Sequence, residues 1–536
     1  MTGKIRIIII GAVFAVQSIT LHSAPSYEGA PGPQEYINRQ PEISAQAYKA
    51  AVTGNKKVAV ILVDFLNAGS NTSGQNHMNA DDVDNFGNWF KSGSRNFEDY
   101  YDEASYGQLE LEVTFAVQGG TKTTLTGGVD TPFEIDENSM GYYGADEANY
   151  ADRLSDLIKQ ALDDANAVAG INISTATFDY VAVAHAGYGN ESTNKSGDIW
   201  SVSVGWTEAG DTYGFDTGML VPARESGELS PFGVICHEFG HQLGLPDIYA
   251  LDTGETRVGK YALMDSGTWN NNGATPPHLC SWSKAYLNWL TPKEIEKDVD
   301  DQVINRYYLK KSRSVYKFVV PQTDELEYFL LSYRAKEGSY DSKLPDKGPV
   351  FIHVDESIAT KNNIVNNTMN DTSQEHPGVD IVGSGVWNIY DVFTATVSNS
   401  YNGNISGITV YGFSAKDNFM SFNATIASFE KSFCIKEEPV NYPNPVMAAS
   451  ETTISFKLSK PENENTIRIY TPAGELVKTI RSEDIKTTYI QDDEVVYQAK
   501  WNLCNEAGNK VTSGIYIYQV ESDDKKETGR MAIIRD

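Results

Sequence analysis

The stretch Val234–Tyr249 reads VICHEFGHQLGLPDIY and holds two of the chain's 8 histidines. His237 and His241 are four residues apart, so on a helix their side chains project from the same face. Two imidazoles placed in this way bind one zinc ion through ring nitrogens at about 2.0–2.1 Å. Glu238 is turned away from that face, which suits a general base acting on a water molecule. The stretch therefore predicts a helix that carries a zinc site.

The residues that follow complete the predicted site. Gly244 can adopt the backbone angles that end a helix, and Pro246 prevents its continuation. The chain must then turn, which allows Asp247 to reach the same metal. Three protein ligands with an open fourth position are typical of catalytic zinc, which activates a water molecule. We predict hydrolysis in which Glu238 takes the proton of that water and passes it to the leaving amine.

Two questions about this stretch stay open at the level of sequence. The alternative interpretation is a helix whose histidines are satisfied by hydrogen bonds, although a chance HExxH is rare in a chain with so few histidines. Tyr249 and Tyr261 are both candidates for the hydrogen-bond donor to the oxyanion, and the sequence does not choose between them.

Charge excludes some classes of partner. The chain has 536 residues and a net charge of −29, which argues against binding nucleic acid or an anionic membrane surface. Such acidity is compatible with calcium binding through carboxylates and equally with a solvated acidic surface. Asp298–Gln302 and Asn366–Gln374 are polar stretches that lack the ligand spacing of a calcium loop.

The N-terminus predicts export. Lys4 and Arg6 precede the apolar run Ile7–Val16, which together indicate a secretory signal over residues 1–24. The run is shorter than the roughly 20 residues of a membrane-spanning helix, and no other run is long enough. Residues 25–56 are rich in Gly, Pro and polar residues, so we interpret them as a linker or short pro-segment.

Periodicity predicts mixed secondary structure in the first half of the chain. Lys56–Phe65 and Phe178–Gly187 are apolar runs of the length of buried strands, and Gln108–Val117 begins with the alternation of a half-buried strand. Tyr150–Val168 has its apolar residues on one helical face, which predicts an amphipathic helix.

These patterns divide the chain into three structural regions after the linker. Residues 57–300 mix strands and helices and form the predicted catalytic domain. Residues 301–430 contain short strand-like runs and form a β-rich extension of it. Residues 436–536 alternate strands with turns at the spacing of an all-β sandwich.

The motif HExxHxxGxxD, written here as HEFGHQLGLPD, and the later ALMDSGTW resemble the immune inhibitor A-like family of secreted bacterial metallopeptidases. The resemblance implies an α+β, zincin-like catalytic domain, with a twisted sheet over the helix of His237 and His241. The resemblance implies that Asp247 is the third zinc ligand and that Met264 forms an apolar floor beneath the metal. It also implies that calcium is bound, as is common in the family. The likeness extends over residues 57 to about 428, with Ser332 and Tyr333 departing from the Glu-Asn of many relatives.

The last region resembles the immunoglobulin-like modules at the C-termini of secreted bacterial proteins. Its markers are YPNP at Tyr442–Pro445, WNLCNEAGNKVTSGIYIYQV and the ending GRMAIIRD. Such modules are similar to the flagellar hook-capping fold, and some act as type IX sorting signals. The resemblance implies contact with secretion machinery or a cell surface, and the alternative is a passive β-sandwich.

Cysteine spacing allows three full pairings of the four cysteines. Pairing Cys236 with Cys280 and Cys434 with Cys504 keeps each bridge local, and we favour it.

The function predicted from the sequence is that of a secreted zinc endopeptidase acting on proteins or peptides, bound in extended form along a sheet edge. Two alternatives stay open. One is a catalytically silent cell-surface binding protein on a protease fold. The other is a zinc hydrolase that acts on a non-peptide amide.

Overall fold

The computed structural model describes residues 20–23, 52–135, 138–144, 150–205, 212–310, 313–321, 323, 326–386, 393, 400–401, 406–415, 419–426, 439–447, 451–458, 465–491, 494–522 and 525–535. The predicted signal peptide and linker lie mostly outside these residues. The chain divides into two compact units, Met1–Ala427 and Ser428–Asp536.

The first unit is built on a mixed sheet with the strand order β1-β7-β8-β6-β2-β3-β4, and β5 also pairs with β2. The central strands β3, β2, β6 and β8 are parallel, whereas β7 runs antiparallel to β8 and β1 antiparallel to β7. The described strands of this unit are β1 Thr20–Ser23, β2 Gly54–Phe65, β3 Leu109–Val117, β4 Gly120–Lys122, β5 Phe133–Ile135, β6 Tyr180–Tyr188, β7 Val202–Gly205, β8 Thr217–Arg224, β9 Lys293–Glu294, β10 Val299–Asn305, β11 Tyr316–Val319, β12 Glu327–Arg334, β13 Gly348–Asp355, β14 Val379–Val386, β15 Ile408–Ala415 and β16 Phe419–Ile426.

Helices cover both faces of this sheet. Among the described residues, the α-helices are α1 Ala80–Gly87, α2 Phe97–Ala104, α3 Tyr150–Ala167, α4 Asn190–Thr193, α5 Phe232–Gln242, α6 Ser281–Tyr286 and α7 Lys361–Val365, with a π-helical turn at Asn88–Ser92 and 3-10 turns at Met140–Tyr143, Gly259–Tyr261, Ser266–Trp269, Asp341–Lys343 and, in the second unit, Ser482–Asp484. The buried strand predicted at Lys56–Phe65 and the amphipathic helix predicted at Tyr150–Val168 are confirmed as β2 and α3.

The central strand β2 is buried on both faces because its side chains alternate between two cores. Val58, Val60 and Leu62 lie in the core that also contains α2 and α5. The alternate residues Ala59 and Ile61 lie in the core formed with α3. A continuous apolar run is therefore what this position requires.

The β-rich part of the first unit contains two further sheets. One has the order β14-β13-β12-β11-β9 and the other β10-β16-β15. They share a core of aromatic and aliphatic side chains, which includes Phe318, Phe351 and Phe422.

The regular structure that is described in the second unit is β-strand, apart from the 3-10 turn at Ser482–Asp484. A 4-stranded sheet has the order β17-β19-β23-β22, and a 5-stranded sheet has the order β18-β25-β24-β20-β21. Ile454 of the first sheet and Ile467 of the second belong to one core. The strands are β17 Val440–Tyr442, β18 Val446–Met447, β19 Thr452–Leu458, β20 Asn465–Tyr470, β21 Leu476–Ile480, β22 Ile485–Gln491, β23 Glu494–Trp501, β24 Gly514–Ser522 and β25 Lys525–Ile534.

The predicted Cys236–Cys280 bridge is wrong, because both residues carry free thiols buried in the core. Cys504 is also a free thiol, and Cys434 lies outside the described residues. A core of this size is stable without cross-links. Within the described part of the chain, no helix combines the length and apolarity needed to cross a bilayer.

Candidate metal centre

Helix α5, Phe232–Gln242, is buried along its whole length. The Tyr101 hydroxyl donates a hydrogen bond of 2.5 Å to the Cys236 carbonyl. The Gln242 side chain donates to the Val181 carbonyl of β6 at 2.9 Å. These bonds to α2 and β6 fix the rotation and height of the helix that carries the HEFGH motif.

The helix ends in a Schellman motif, which also orients one histidine. The Leu245 N–H donates to Gly240 O at 3.1 Å and the Gly244 N–H donates to His241 O at 2.8 Å, with Gly244 at φ +91°. This left-handed conformation is one that glycine adopts without strain. The turn places the Leu245 carbonyl 2.8 Å from His241 Nδ1.

Three side-chain atoms converge beside α5. His237 Nε2 and His241 Nε2 are 3.1 Å apart, and Asp247 Oδ1 lies 3.0 Å from the first and 3.4 Å from the second. Two ligand atoms at about 2.0–2.1 Å from a tetrahedral zinc lie about 3.3 Å apart. The three residues are buried and form a group able to hold a metal ion.

The hydrogen-bond partners of the two imidazole rings favour a cation between them. His237 Nδ1 lies 3.0 Å from both the Leu263 carbonyl and Thr268 Oγ1, and the Thr268 hydroxyl donates its own proton to Leu263 O. His241 Nδ1 faces the Leu245 carbonyl. With each Nδ1 donating to its carbonyl, the tautomer that carries a single proton presents its Nε2 lone pair to the other two ligand atoms. Lone pairs this close repel one another unless a cation lies between them, so these residues fit a metal ion.

Asp247 is held as a carboxylate. Burial raises its pKa, but positive charge facing Oδ1, on protonated His241 and His237 or on a cation held between them, lowers the pKa by more, so the net shift is downward. Its second oxygen, Oδ2, accepts a hydrogen bond of 2.6 Å from the Asn367 side chain. An ionised aspartate with one oxygen bound to a neighbour and the other aimed at two imidazoles is suited to bind a metal.

Met264 packs against α5 at Gly240, and its role as an apolar floor beneath the metal stays a prediction. A methyl group at Gly240 would overlap the Met264 sulfur, and the Met264 carbonyl accepts from Ile248 N–H at 2.7 Å. The next residue, Asp265, is buried and fixes the turn. Its carboxylate accepts backbone N–H bonds from Arg257, Val258, Gly259 and Ser266.

The other residues singled out in the sequence are also buried. Glu238 follows the first histidine on α5 and is fully enclosed. Tyr249 and Tyr261 are both buried, and neither belongs to the group of ligand atoms, so the oxyanion donor stays a prediction. Cys236 points into the apolar core.

Sequence reasoning missed three residues that shape the centre: Asn367, Thr268 and Gly240. Asn367 is 120 residues from Asp247, so local spacing could not connect them. Thr268 lies in the ALMDSGTW motif, but no spacing in the sequence indicates that it contacts His237. Gly240 lies between the two histidines of HExxH, and a glycine inside a helix indicates that another side chain packs closely against it.

Two other carboxylates are buried at the ends of β6 and β8. Glu191 and Glu225 are each 3% exposed. Glu191 accepts from Ser201 N–H at 3.1 Å, and Glu225 Oε2 accepts from the Ser192 hydroxyl at 2.5 Å. Burial raises the pKa of both carboxyls, and for Glu225 the charge of Glu191 raises it further, well above its ordinary value.

This pair predicts a pH dependence of stability. Because their pKa values are higher in the folded state, that state binds more protons than the unfolded chain once the pH exceeds about 4.5. The free energy of unfolding then falls as the pH rises, by about 1.4 kcal/mol for each unit of pKa difference. We expect thermal unfolding of metal-free protein to show this decline, and Glu225→Gln to flatten it. The exposed Glu228→Gln is the matched control, and an unchanged slope in Glu225→Gln contradicts the prediction.

Comparison with known families matches the part of the chain that contains the metal centre. Residues 176–291 match the family described as "Immune inhibitor A peptidase M6, catalytic domain". We call this matching stretch the M6 segment. The M6 segment begins just before β6, ends after α6 and contains the three converging side chains.

Two curated relatives are similar to this chain over limited stretches. Immune inhibitor A of Bacillus thuringiensis subsp. alesti is 26% identical over 238 residues, which cover 37% of this chain and 34% of the relative. Pre-pro-metalloprotease PrtV of Vibrio cholerae serotype O1 is 24% identical over 221 residues, 33% of this chain and 23% of the relative. The chain thus spans about a third and about a quarter of their lengths.

Among solved structures, PorZ, a surface component of the type-IX secretion system of Porphyromonas gingivalis, is 18% identical. The match covers 42% of this chain and 22% of PorZ with a TM-score of 0.15. Similarity at that level carries no argument about the fold.

Proposed function

We propose that the chain is a secreted zinc-dependent endopeptidase. The observation that carries this proposal is the convergence of His237 Nε2, His241 Nε2 and Asp247 Oδ1 at 3.0–3.4 Å beside Glu238. Their presence in an M6 segment supports peptide hydrolysis over other uses of such a triad.

The roles of the residues follow from their positions. His237, His241 and Asp247 would hold the zinc, which would supply a Lewis acid able to lower the pKa of a water molecule towards about 7 and to polarise the scissile carbonyl. Glu238 would accept the proton of that water and deliver it to the leaving amine. Thr268 and the Leu263 carbonyl keep His237 in the tautomer that coordinates through Nε2, and the Leu245 carbonyl does the same for His241.

The edge of the sheet supports binding of an extended peptide. Strand β1 pairs antiparallel with β7 from Thr20–Gly205 to Ser23–Val202, and both strands lie next to α5. We propose that substrates take the place of β1 and pair with β7 through backbone hydrogen bonds. Removal of the predicted signal peptide would leave this edge free. Recognition through the backbone gives a broad sequence preference.

The test is to purify the secreted chain and measure its metal content together with casein cleavage, with and without a chelator. About one zinc per chain, with cleavage that the chelator stops and added zinc restores, is the expected result. Stoichiometric zinc without cleavage of any peptide would favour the silent binding protein. Failure to take up zinc would overturn the proposal.

We propose a separate role in export or surface contact for the second unit. Its two sheets around one core are compatible with an immunoglobulin-like sandwich. Deletion of residues 436–536 should leave zinc binding intact and stop the protein from reaching the cell exterior. Normal export of the truncated chain would leave a passive module as the better interpretation.

Calcium, expected from acidic composition and family habit, stays a prediction. Calcium that replaced the proton between Glu191 and Glu225 would raise the unfolding temperature more at pH 8 than at pH 5.5, because the carboxyls lose their protons as the pH rises. An equal effect at both pH values would place any calcium elsewhere.

A further inference from the structure

A segment of the β-rich region fastens the turn that carries Asp247. We name Asn367–Thr372 the clasp segment. Asn370 Nδ2 donates to the Ile248 carbonyl at 2.5 Å, and Asp371 Oδ1 accepts from the Leu251 N–H at 2.8 Å. The clasp segment therefore forms hydrogen bonds with successive residues of the turn that begins at Asp247.

Asn367 makes two bonds to one residue, Asp247. Its Oδ1 accepts from the Asp247 backbone N–H at 2.6 Å, and its Nδ2 donates to Asp247 Oδ2 at 2.6 Å. The planar amide thus fixes the main chain and the carboxylate of Asp247 together. Asp247 Oδ1 is left directed at the two imidazoles.

The position of Asn367 is built for this contact. The residue is 4% exposed and has φ +57°, a left-handed conformation that asparagine tolerates better than most residues. A buried polar group that loses its partner costs about 1–3 kcal/mol. Both Asp247 and Asn367 would incur that cost if their side chains turned apart, so the carboxylate has one strongly preferred orientation.

We propose that Asn367 is a positioning residue of the metal centre, which raises its zinc affinity by holding the Asp247 carboxylate. The inference rests on the proposed function, in which Asp247 is a ligand. Asn367 lies in the β-rich region, outside the M6 segment that ends at residue 291. The proposal therefore makes the β-rich region part of the metal centre. Groups that orient ligands in this way contribute about 10–100-fold to metal affinity.

The test compares variants of the secreted chain. Asn367→Asp keeps the size and the acceptor for the Asp247 N–H but replaces the amide donor with a carboxylate. Asn367→Ala removes both bonds. Asn370→Ala is the matched control, since it loosens the same clasp segment without touching Asp247. Zinc affinity is measured by competition with a chromophoric chelator, and thermal unfolding of the metal-free proteins is measured in parallel.

We expect both Asn367 variants to bind zinc about 10–100-fold more weakly than the parent chain. Asn370→Ala should lower the unfolding temperature and keep the parent zinc affinity. Parent affinity in a folded Asn367 variant, or equal losses of affinity in Asn370→Ala, would overturn the inference. A parent chain that binds no zinc would instead overturn the proposed function, so the two failures are distinguishable.

Discussion

Glu238→Gln should leave zinc bound at the level of the parent chain and lower the rate of casein cleavage by about 10²–10⁴-fold. Glutamine has nearly the shape of glutamate, and Glu238 is not one of the three converging ligands, so the metal centre should persist. The amide cannot accept the proton of water, so the loss should fall on kcat. Metal content, kcat and KM of the purified variant measure the effect.

The control for this prediction is Glu228→Gln, which changes an exposed carboxylate just ahead of α5. It should cleave casein at the parent rate. Cleavage by Glu238→Gln that comes within a few-fold of the parent would show that another group carries the proton. Loss of zinc from the variant would make Glu238 part of the binding site and contradict its assigned role.

His241→Ala should abolish both zinc binding and cleavage. The substitution removes one of three ligand atoms and also the hydrogen bond to the Leu245 carbonyl at the helix end. Bound metal contributes several kcal/mol to transition-state stabilisation, so its loss should lower the rate on the order of 10³-fold or more. Elemental analysis and casein cleavage at fixed zinc concentration measure the two effects.

His77→Ala is the histidine control, because the side chain of His77 is 53% exposed and pairs with Asp64, and neither residue belongs to the group of three converging ligands. It should keep zinc and activity. The parent chain should also unfold at a higher temperature with zinc than without, and His241→Ala should lose that difference. Zinc-dependent cleavage that survives in His241→Ala would contradict the assignment of the ligands.

Local patterns predicted the parts of the fold that depend on neighbouring residues. The run in β2 was readable because both faces of a central parallel strand are buried, and α3 because its apolar residues repeat with the period of a helix. The pair His237 and His241 was readable for the same reason, since one turn of helix brings them together.

Contacts between distant segments could not be predicted in this way. The polar stretch Asn366–Gln374 lacks the ligand spacing of a calcium loop, and nothing local in it points to a partner elsewhere in the chain. Asn367 acquires its partner through the packing of the β-rich region against the turn after α5, 120 residues earlier. The cysteine pairing failed similarly, since a pairing chosen for nearness in sequence took no account of where the folded core places Cys236 and Cys280.

The distance along the chain between Asp247 and the clasp segment also sets an order of assembly during synthesis. The helix and turn of the metal centre emerge first, whereas Asn367 follows 120 residues later. Asn370 in turn accepts from Val379 N–H at 3.0 Å. Domains fold as they are made, from the N-terminus onward. Asn367 can therefore hold Asp247 only after the chain as far as residue 367 has been made and folded, so under the proposed function a complete metal centre, and with it peptide cleavage, would arise late in synthesis.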